Sequence, residues 1–240
     1  MGKQFAKIEP QHRAFIERQK IFFVASAPPR GRVNVSPKGL SSLRVLGENE
    51  VAYLDCTGSG SETRAHLMAS DDKRLTIMFC AFEGAPVILR LYGQGQSLMR
   101  GTPDYRALIP QFEEMPGARQ IVRLAVELVQ TSCGLGVPLF DYKEERGGLV
   151  RHWLTQGLEN LTKYWTLKNM SSIDGLPTGF SPDTRSAPRR SSATMTRNSP
   201  TTPSPRSSPP AAPTQASAPN RQPRNSAWTS CRWGRRTWGS

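Results

Sequence analysis

GRVNVSPKGLSSLRVLGENEVAYLDCTGSGSETRAHL, residues Gly31 to Leu67, holds the pattern from which the fold follows. Val33 to Ser36, Leu43 to Gly47 and Glu50 to Cys56 have the β-branched and apolar content of strands, separated by Pro37-Lys38-Gly39 and Gly47-Glu48-Asn49. The third strand runs through Gly58-Ser59-Gly60-Ser61 into a helix expected from Glu62 onward. Small residues and the hydroxyls of Thr57, Ser59, Ser61 and Thr63 thus fall where a strand hands over to a helix, and backbone N–H groups at such a terminus are free to face an anion. Arg64 and His66 lie just inside the helix, while Arg32, Asn34, Ser36 and Lys38 ride on the preceding strand and can add cationic and hydrogen-bonding donors. The outline is that of a phosphate site. The same spacing also suits a Ser61 or Thr63 hydroxyl that caps the helix with no ligand present.

Outward from this stretch, Glu9 to Gln19 reads as a short amphipathic helix with Pro10 in its first turn, and IFFVASA at 21–27 as a buried strand forming a hairpin with Val33 to Ser36. RLTIMFCAFE at 74–83, a Gly84-Ala85-Pro86 turn and VILRLYGQGQSLM at 87–99 form a second hairpin. Thr102 to Pro116 reads as a loop with a helical turn, and ARQIVRLAVELVQTSC at 118–133 as the last strand, although a helix also fits its spacing. Gly147 to Lys168 has helical spacing of Leu149, Trp153, Leu154, Leu158, Leu161 and Trp165, which marks both tryptophans as packing residues. The expected class is mainly β with α, an α+β fold: a six-stranded antiparallel split β-barrel with flanking helices, because closure removes exposed strand edges.

Composition separates the chain into two parts. Of its formal charge of +13, residues 1–180 carry 22 Lys and Arg against 18 Asp and Glu, whereas residues 181–240 carry 10 Arg against Asp183 alone. The expected domain is therefore 1–180, followed by an Arg-, Pro- and Ser-rich tail at 181–240 that has too few aliphatic residues to offset ordering entropy. Three readings of that tail stand side by side: a disordered solvated extension, a basic nucleic-acid-binding arm, or the product of a shifted reading frame, for which its exclusive use of Arg and its abrupt onset speak. Outside the tail, no nucleic-acid partner is expected. Four scattered cysteines without a CxxC pair, together with three histidines, give no zinc or disulfide framework, so no metal is expected. Cys56 and Cys80 read as small buried residues, and Cys133 as structural rather than redox-active. No apolar run approaches a membrane span, which makes a cytoplasmic protein the expectation.

GRVNVSPKG, AYLDCTGSGSETRAHL, LTIMFCAFEGAPVILRLYGQG, QTSCGLGVP and KNMSSIDGLPTG, in that order, resemble the pyridoxamine 5′-phosphate oxidase-like family of FMN-binding split barrels, and specifically its short bacterial and fungal members. The resemblance covers about residues 1–180. It implies a homodimer with FMN at the interface, the deazaflavin F420 being the second choice and haem a third, and an oxidoreductase acting on an unidentified small molecule. A flavin-binding protein without turnover is the other implied class. Carried onto this sequence, the phosphate and ring contacts would come from Arg32, Asn34, Ser36 and Lys38 on the strand and from Thr57, Ser61, Thr63 and Arg64 at the turn, with Arg32 and Arg64 foremost. Arg90 would either reach the partner's flavin or be a surface residue of its strand, Gln130 and Ser132 would come to that flavin from the second subunit, and His66 would pack behind the site. No catalytic side chain is implied, since the hydride chemistry resides in the flavin. The substrate-phosphate block of true pyridoxamine phosphate oxidases, a Trp followed by Arg-Leu-His-Asp-Arg, has no counterpart beyond RHW at 151–153, which argues against vitamin B6 oxidation.

Overall fold

A computed structural model describes residues 2–113 and 115–180. Its framework is one antiparallel sheet of eight strands: β1 (Lys3–Phe5), β2 (Phe22–Ser26), β3 (Asn34–Lys38), β4 (Leu43–Gly47), β5 (Glu50–Cys56), β6 (Arg74–Cys80), β7 (Val87–Met99) and β8 (Ala118–Cys133). The order is β3-β2-β6-β7-β8-β5-β4, with β1 added to the far end of β8 through Lys3 opposite Thr131. The count exceeds the six expected, in part because β1, KQF, is too short and too polar to announce itself. Helices α1 (Pro10–Arg18), α2 (Glu62–Ala69), α3 (Pro103–Leu108) and α4 (Gly148–Lys168) lie between and after the strands.

The sheet curls around its apolar face. Phe22 of β2 and Tyr53 of β5 are separated in strand order by β6, β7 and β8, yet their rings meet edge-on at 5.7 Å. Around them Val24, Val51, Ile77, Leu89, Leu91, Val122, Leu124 and Val129 form one buried core closed by Phe15 and Ile16 of α1 and Leu67 of α2. A second cluster, Ala52, Leu54, Leu98 and Ile121 with Tyr105 and Phe112, packs the α3 segment on the outer face of the same strands. Alternate residues of β5, β7 and β8 therefore feed two cores, which explains why Val51 to Asp55 are buried without interruption. The barrel stays split between β3 and β4, the two ends of the strand order.

The long β7–β8 hairpin bends at a register shift between Tyr92 and Gly93. A Cβ at Gly93 would stand 1.9 Å from the Ala125 carbonyl oxygen, a backbone atom unable to move aside. Gly93→Ala is expected to cost about 1 to 3 kcal/mol, as overpacking does, read as a lower urea midpoint at unchanged slope.

The helix expected over Gly147 to Lys168 is present but not continuous. Gly157 adopts φ 70 and ψ 175 and breaks the helical phase. Trp153 and Leu161 are buried while Leu154, one position and so about 100° round the helix from Trp153, and Leu158, beyond the break, are exposed. The expected tail at 181–240, in all three of its readings, lies outside the described residues.

Candidate functional site

Where β5 ends, its partner β8 begins: Asp55, on the face of β5 that carries Val51 and Tyr53, pairs with Gln120, and the register shift that follows, between Asp55 and Cys56, leaves Arg119 as the extra residue of β8. Arg119 donates through Nε to Asp55 Oδ2 at 2.8 Å, Gln120 donates to the same oxygen at 2.7 Å, and Lys38 Nζ donates to Oδ1 at 2.7 Å. Burial alone would raise the Asp55 pKa, but the charges of Arg119 and Lys38 and the hydrogen bonds of Lys38 and Gln120 outweigh it and hold the carboxyl well below the usual range. The node carries two cations on one carboxylate.

That node is the floor of a cavity of about 810 Å³. β3 and the residues before it form one wall, the turn Gly58–Ser61 and the first residues of α2 another, and residues 168–173 a third. The lining carries Arg32, Lys38, Arg119 and Lys168 against Asp55 and Glu62, a net positive set. Glu62 is further engaged by the Ile173 amide, which donates to its carboxylate at 3.1 Å.

Ser61 occupies the N-cap position of α2, yet its side chain makes no capping hydrogen bond. Its Oγ is buried and has no partner among the described residues, and Ser61 is one of the residues that line the cavity. An orphaned buried hydroxyl costs about 1 to 3 kcal/mol, and here it sits beside the unsatisfied N–H groups of a helix start. The cap without a ligand, one of the two sequence readings of Ser61, is not what this side chain does.

The turn that carries Ser61 is held from behind. Thr57 donates through its amide and its hydroxyl to the Gly117 carbonyl at 2.8 and 2.7 Å. Trp153 Nε1 donates to the Thr57 carbonyl at 3.2 Å and Trp165 Nε1 to the Thr57 hydroxyl at 2.7 Å. Gly117, at φ +85, lets the indole of Trp153 rest on it: a Cβ there would lie 2.4 Å from Trp153 Cδ1. The two tryptophans therefore pack, as expected, and also satisfy the polar groups of the turn.

Of the residues expected at the site, Arg32, Asn34, Ser36, Lys38, Ser61 and Thr63 line the cavity. Arg32 is latched to the far wall, its amide donating to Asp174 Oδ2 at 2.7 Å and its guanidinium to Oδ1. Thr57 is committed to Gly117 and the indoles, as above. Arg64, named with Arg32 as the foremost donor, does not line the cavity. It donates to the Thr178 carbonyl and, at 2.7 Å, to Ser97, and Ser97 in turn donates to Gln120, so Arg64 braces the floor from the opposite side. Its guanidinium and that of Arg119 both lie against the Phe180 ring, at 5.4 and 5.7 Å. Arg90, Gln130 and Ser132 are brought together on β7 and β8, with Arg90 donating to Ser132 at 3.0 Å, but none lines this cavity.

Sequence reasoning does not single out Asp55, Arg119 or Gln120. The available signal is the Arg119-Gln120 pair at the start of the strand-like run 118–133, where a charge that turned to the buried side would need a partner. His12 and His66 are buried, His152 is exposed, and none of the three lines the cavity. His66 packs behind α2 with Nδ1 3.0 Å from Ser26 Oγ. Cys56 is half-buried against Met115, and burial, with the Asp55 charge added, pushes its thiol up to about 12, so it stays protonated at neutral pH. Cys80 is buried, whereas Cys133 is exposed at the end of β8. Among the described residues no helix is long and apolar enough to cross a membrane, and no three His, Cys, Asp or Glu side chains gather as a metal site.

The family model described as pyridoxamine 5′-phosphate oxidase matches residues 8–133, from just before α1 to the end of β8. The pyridoxamine 5′-phosphate oxidase family protein ustO of Aspergillus flavus is 39% identical over 180 residues, covering 67% of this chain and 71% of that protein. Among solved structures, a single-substitution variant of HupZ from Group A Streptococcus is 20% identical with a TM-score of 0.42, over 52% of this chain and 99% of that one. HutZ, a haem storage protein of Vibrio cholerae, is 19% identical with a TM-score of 0.39, over 54% and 98% of the two chains. The matched span contains β2 to β8, the Gly-Ser turn and the Asp55–Arg119 node alike, and on that span and on the identity to the Aspergillus protein the chain belongs to the pyridoxamine 5′-phosphate oxidase family.

Proposed function

We propose that this protein is an FMN-dependent oxidoreductase acting on a small molecule, with the FMN phosphate seated at the N-terminus of α2. The observation that carries the reading is the Ser61 hydroxyl, buried at the cavity wall with no partner among the described residues and set beside the first N–H groups of the helix. A phosphate oxygen would supply the acceptor that the side chain lacks, and the net positive lining favours a dianion over a neutral ligand. Family membership supports a flavin over other phosphorylated ligands.

Bound FMN supplies the two-electron chemistry. The chain's own residues do the rest: Ser61, Thr63 and the helix start hold the phosphate, Arg119 and Gln120 fix the floor through Asp55, and Lys38 closes the node from β3. No side chain is assigned a catalytic role. The deazaflavin F420 would use the same anion end and differs in its absorbance. A homodimer is part of the reading. Val33 and Val35, at 69% and 60% exposure, and Ile173 at 73% leave an apolar rim on the cavity mouth, suited to a second copy. In that dimer Arg90, Gln130 and Ser132 would contribute to the partner's site.

The test is a spectrum and a titration. Protein purified or reconstituted with FMN is expected to show flavin absorbance bands and to quench FMN fluorescence. Ser61→Val is expected to weaken FMN about tenfold, the effect of one hydrogen bond to a charged group, while riboflavin, which has no phosphate, is unaffected. A colourless protein that quenches neither compound would remove the flavin. Bands of the deazaflavin type after reconstitution would move the assignment to F420.

A further inference from the structure

Asn169 ends α4, beyond the 8–133 span that the family model matches, and it is fully buried. Every polar group it has is engaged. Its Oδ1 accepts from Arg119 at 2.7 Å, its Nδ2 donates to the Gly58 carbonyl at 3.2 Å, its amide donates to the Trp165 carbonyl at 2.8 Å, and its carbonyl accepts from the Thr178 hydroxyl. A polar side chain at a helix end is ordinarily solvated, and one buried with a full set of bonds is fixed in place by them.

The two side-chain bonds join the two halves of the anion end. Arg119 is the buried cation of the floor, and its fork is held at one prong by Asp55 and at another by Asn169. Gly58 opens the turn that presents Ser61 and the start of α2. Among the described residues, Asn169 is the one whose side chain bonds both. Fixation at two points matters for Arg because the guanidinium is planar, and a rotation about its long side chain would otherwise swing the charge off the cavity.

We propose that Asn169 is a positioning residue for the anion end of the cavity, locking the Arg119 guanidinium and the Gly58 turn in register so that the phosphate cradle is complete only with the C-terminal segment docked. Nothing in the Asn169 side chain need touch the ligand; it acts through Arg119 and Gly58. The proposal rests on the reading that the cavity takes FMN, and its consequence is specific to the phosphate. A group that merely stabilised the fold would weaken any ligand of this cavity to the same degree.

The experiment compares FMN, riboflavin and inorganic phosphate on the full chain. Asn169→Ala is expected to weaken FMN about tenfold, as loss of an orienting bond to a charged donor does, with riboflavin changed by less than about twofold. The rise in melting temperature that phosphate gives the unmodified protein is expected to vanish in the variant. Asn169→Ser, which keeps a polar side chain too short to span Arg119 and Gly58, is expected to behave alike and serves if the alanine variant does not fold. Equal weakening of FMN and riboflavin, or FMN affinity unchanged, overturns the positioning role. If the unmodified protein binds neither flavin, the flavin reading fails by itself. The phosphate arm then decides: a melting shift lost in the variant supports the role of Asn169, and a shift retained in it overturns that role.

Discussion

Asp55→Ala is expected to lower stability by about 3 to 5 kcal/mol, the loss found when one partner of a buried ion group is removed. The size follows from what remains. Arg119, with its side chain 4% exposed, would keep a full charge in the interior with Asn169 as its remaining side-chain acceptor among the described residues, and Lys38 would lose the same partner. Asp55→Asn preserves shape and an acceptor but not the charge, and is expected to fall between the alanine variant and the unmodified protein. Urea unfolding measures both, and a loss below about 1 kcal/mol in the alanine variant would mean that water or neighbouring groups solvate Arg119 better than the structure indicates.

The same node makes stability depend on pH. The Asp55 pKa is lower in the folded chain than in the unfolded one, so the unfolded state takes up the proton first as acid is added. Its contribution is fully present above the ordinary aspartate value of about 4 and is lost as the pH falls from there toward the depressed folded value. Asp55→Asn is expected to remove this part of the acid destabilisation. The stability curves of the two proteins should therefore converge at low pH and separate as the pH rises.

Trp153→Ala carries the second large effect, about 3 to 5 kcal/mol, as for other buried aromatic truncations. The indole is 6% exposed, rests on Gly117, meets the Tyr164 ring edge-on at 5.3 Å and donates to the Thr57 carbonyl. Its removal opens a cavity under the turn and frees Thr57. FMN affinity is therefore expected to fall together with stability, as a double readout by urea unfolding and fluorescence titration. Trp153→Phe keeps most of the packing and loses the N–H donor, so it should retain the larger part of the stability. Loss of stability with FMN affinity intact would show that the turn holds its shape without the tryptophan.

The elements that carry strong local signals were legible from sequence. The apolar alternation over much of Ala118 to Cys133 pointed to β8, with a helix left as the other reading, and the change from strand to Gly-Ser turn to helix located α2 and Ser61. The wall from Arg32 to Lys38 followed from its hairpin with β2. The partnership of Asp55 with Arg119 and Gln120 was hidden because it joins residues more than sixty positions apart through a bulge, and nothing local marks a bulge. Arg64 misled for the complementary reason. Its position just inside α2 suggests an anion donor, but the helix turns it toward Ser97 and the segment around Thr178, which the sequence shows only as a turn-rich ending. Gly157 could equally have been a tolerated helical glycine, and only its backbone conformation reveals the break.

The most direct measurement is a crystal structure of the protein grown with FMN. The phosphate is expected within hydrogen-bond distance of Ser61 Oγ and the first amides of α2, above the Asp55–Arg119 floor. Flavin density that places the phosphate elsewhere, leaving the Ser61 hydroxyl without an acceptor, would contradict the account.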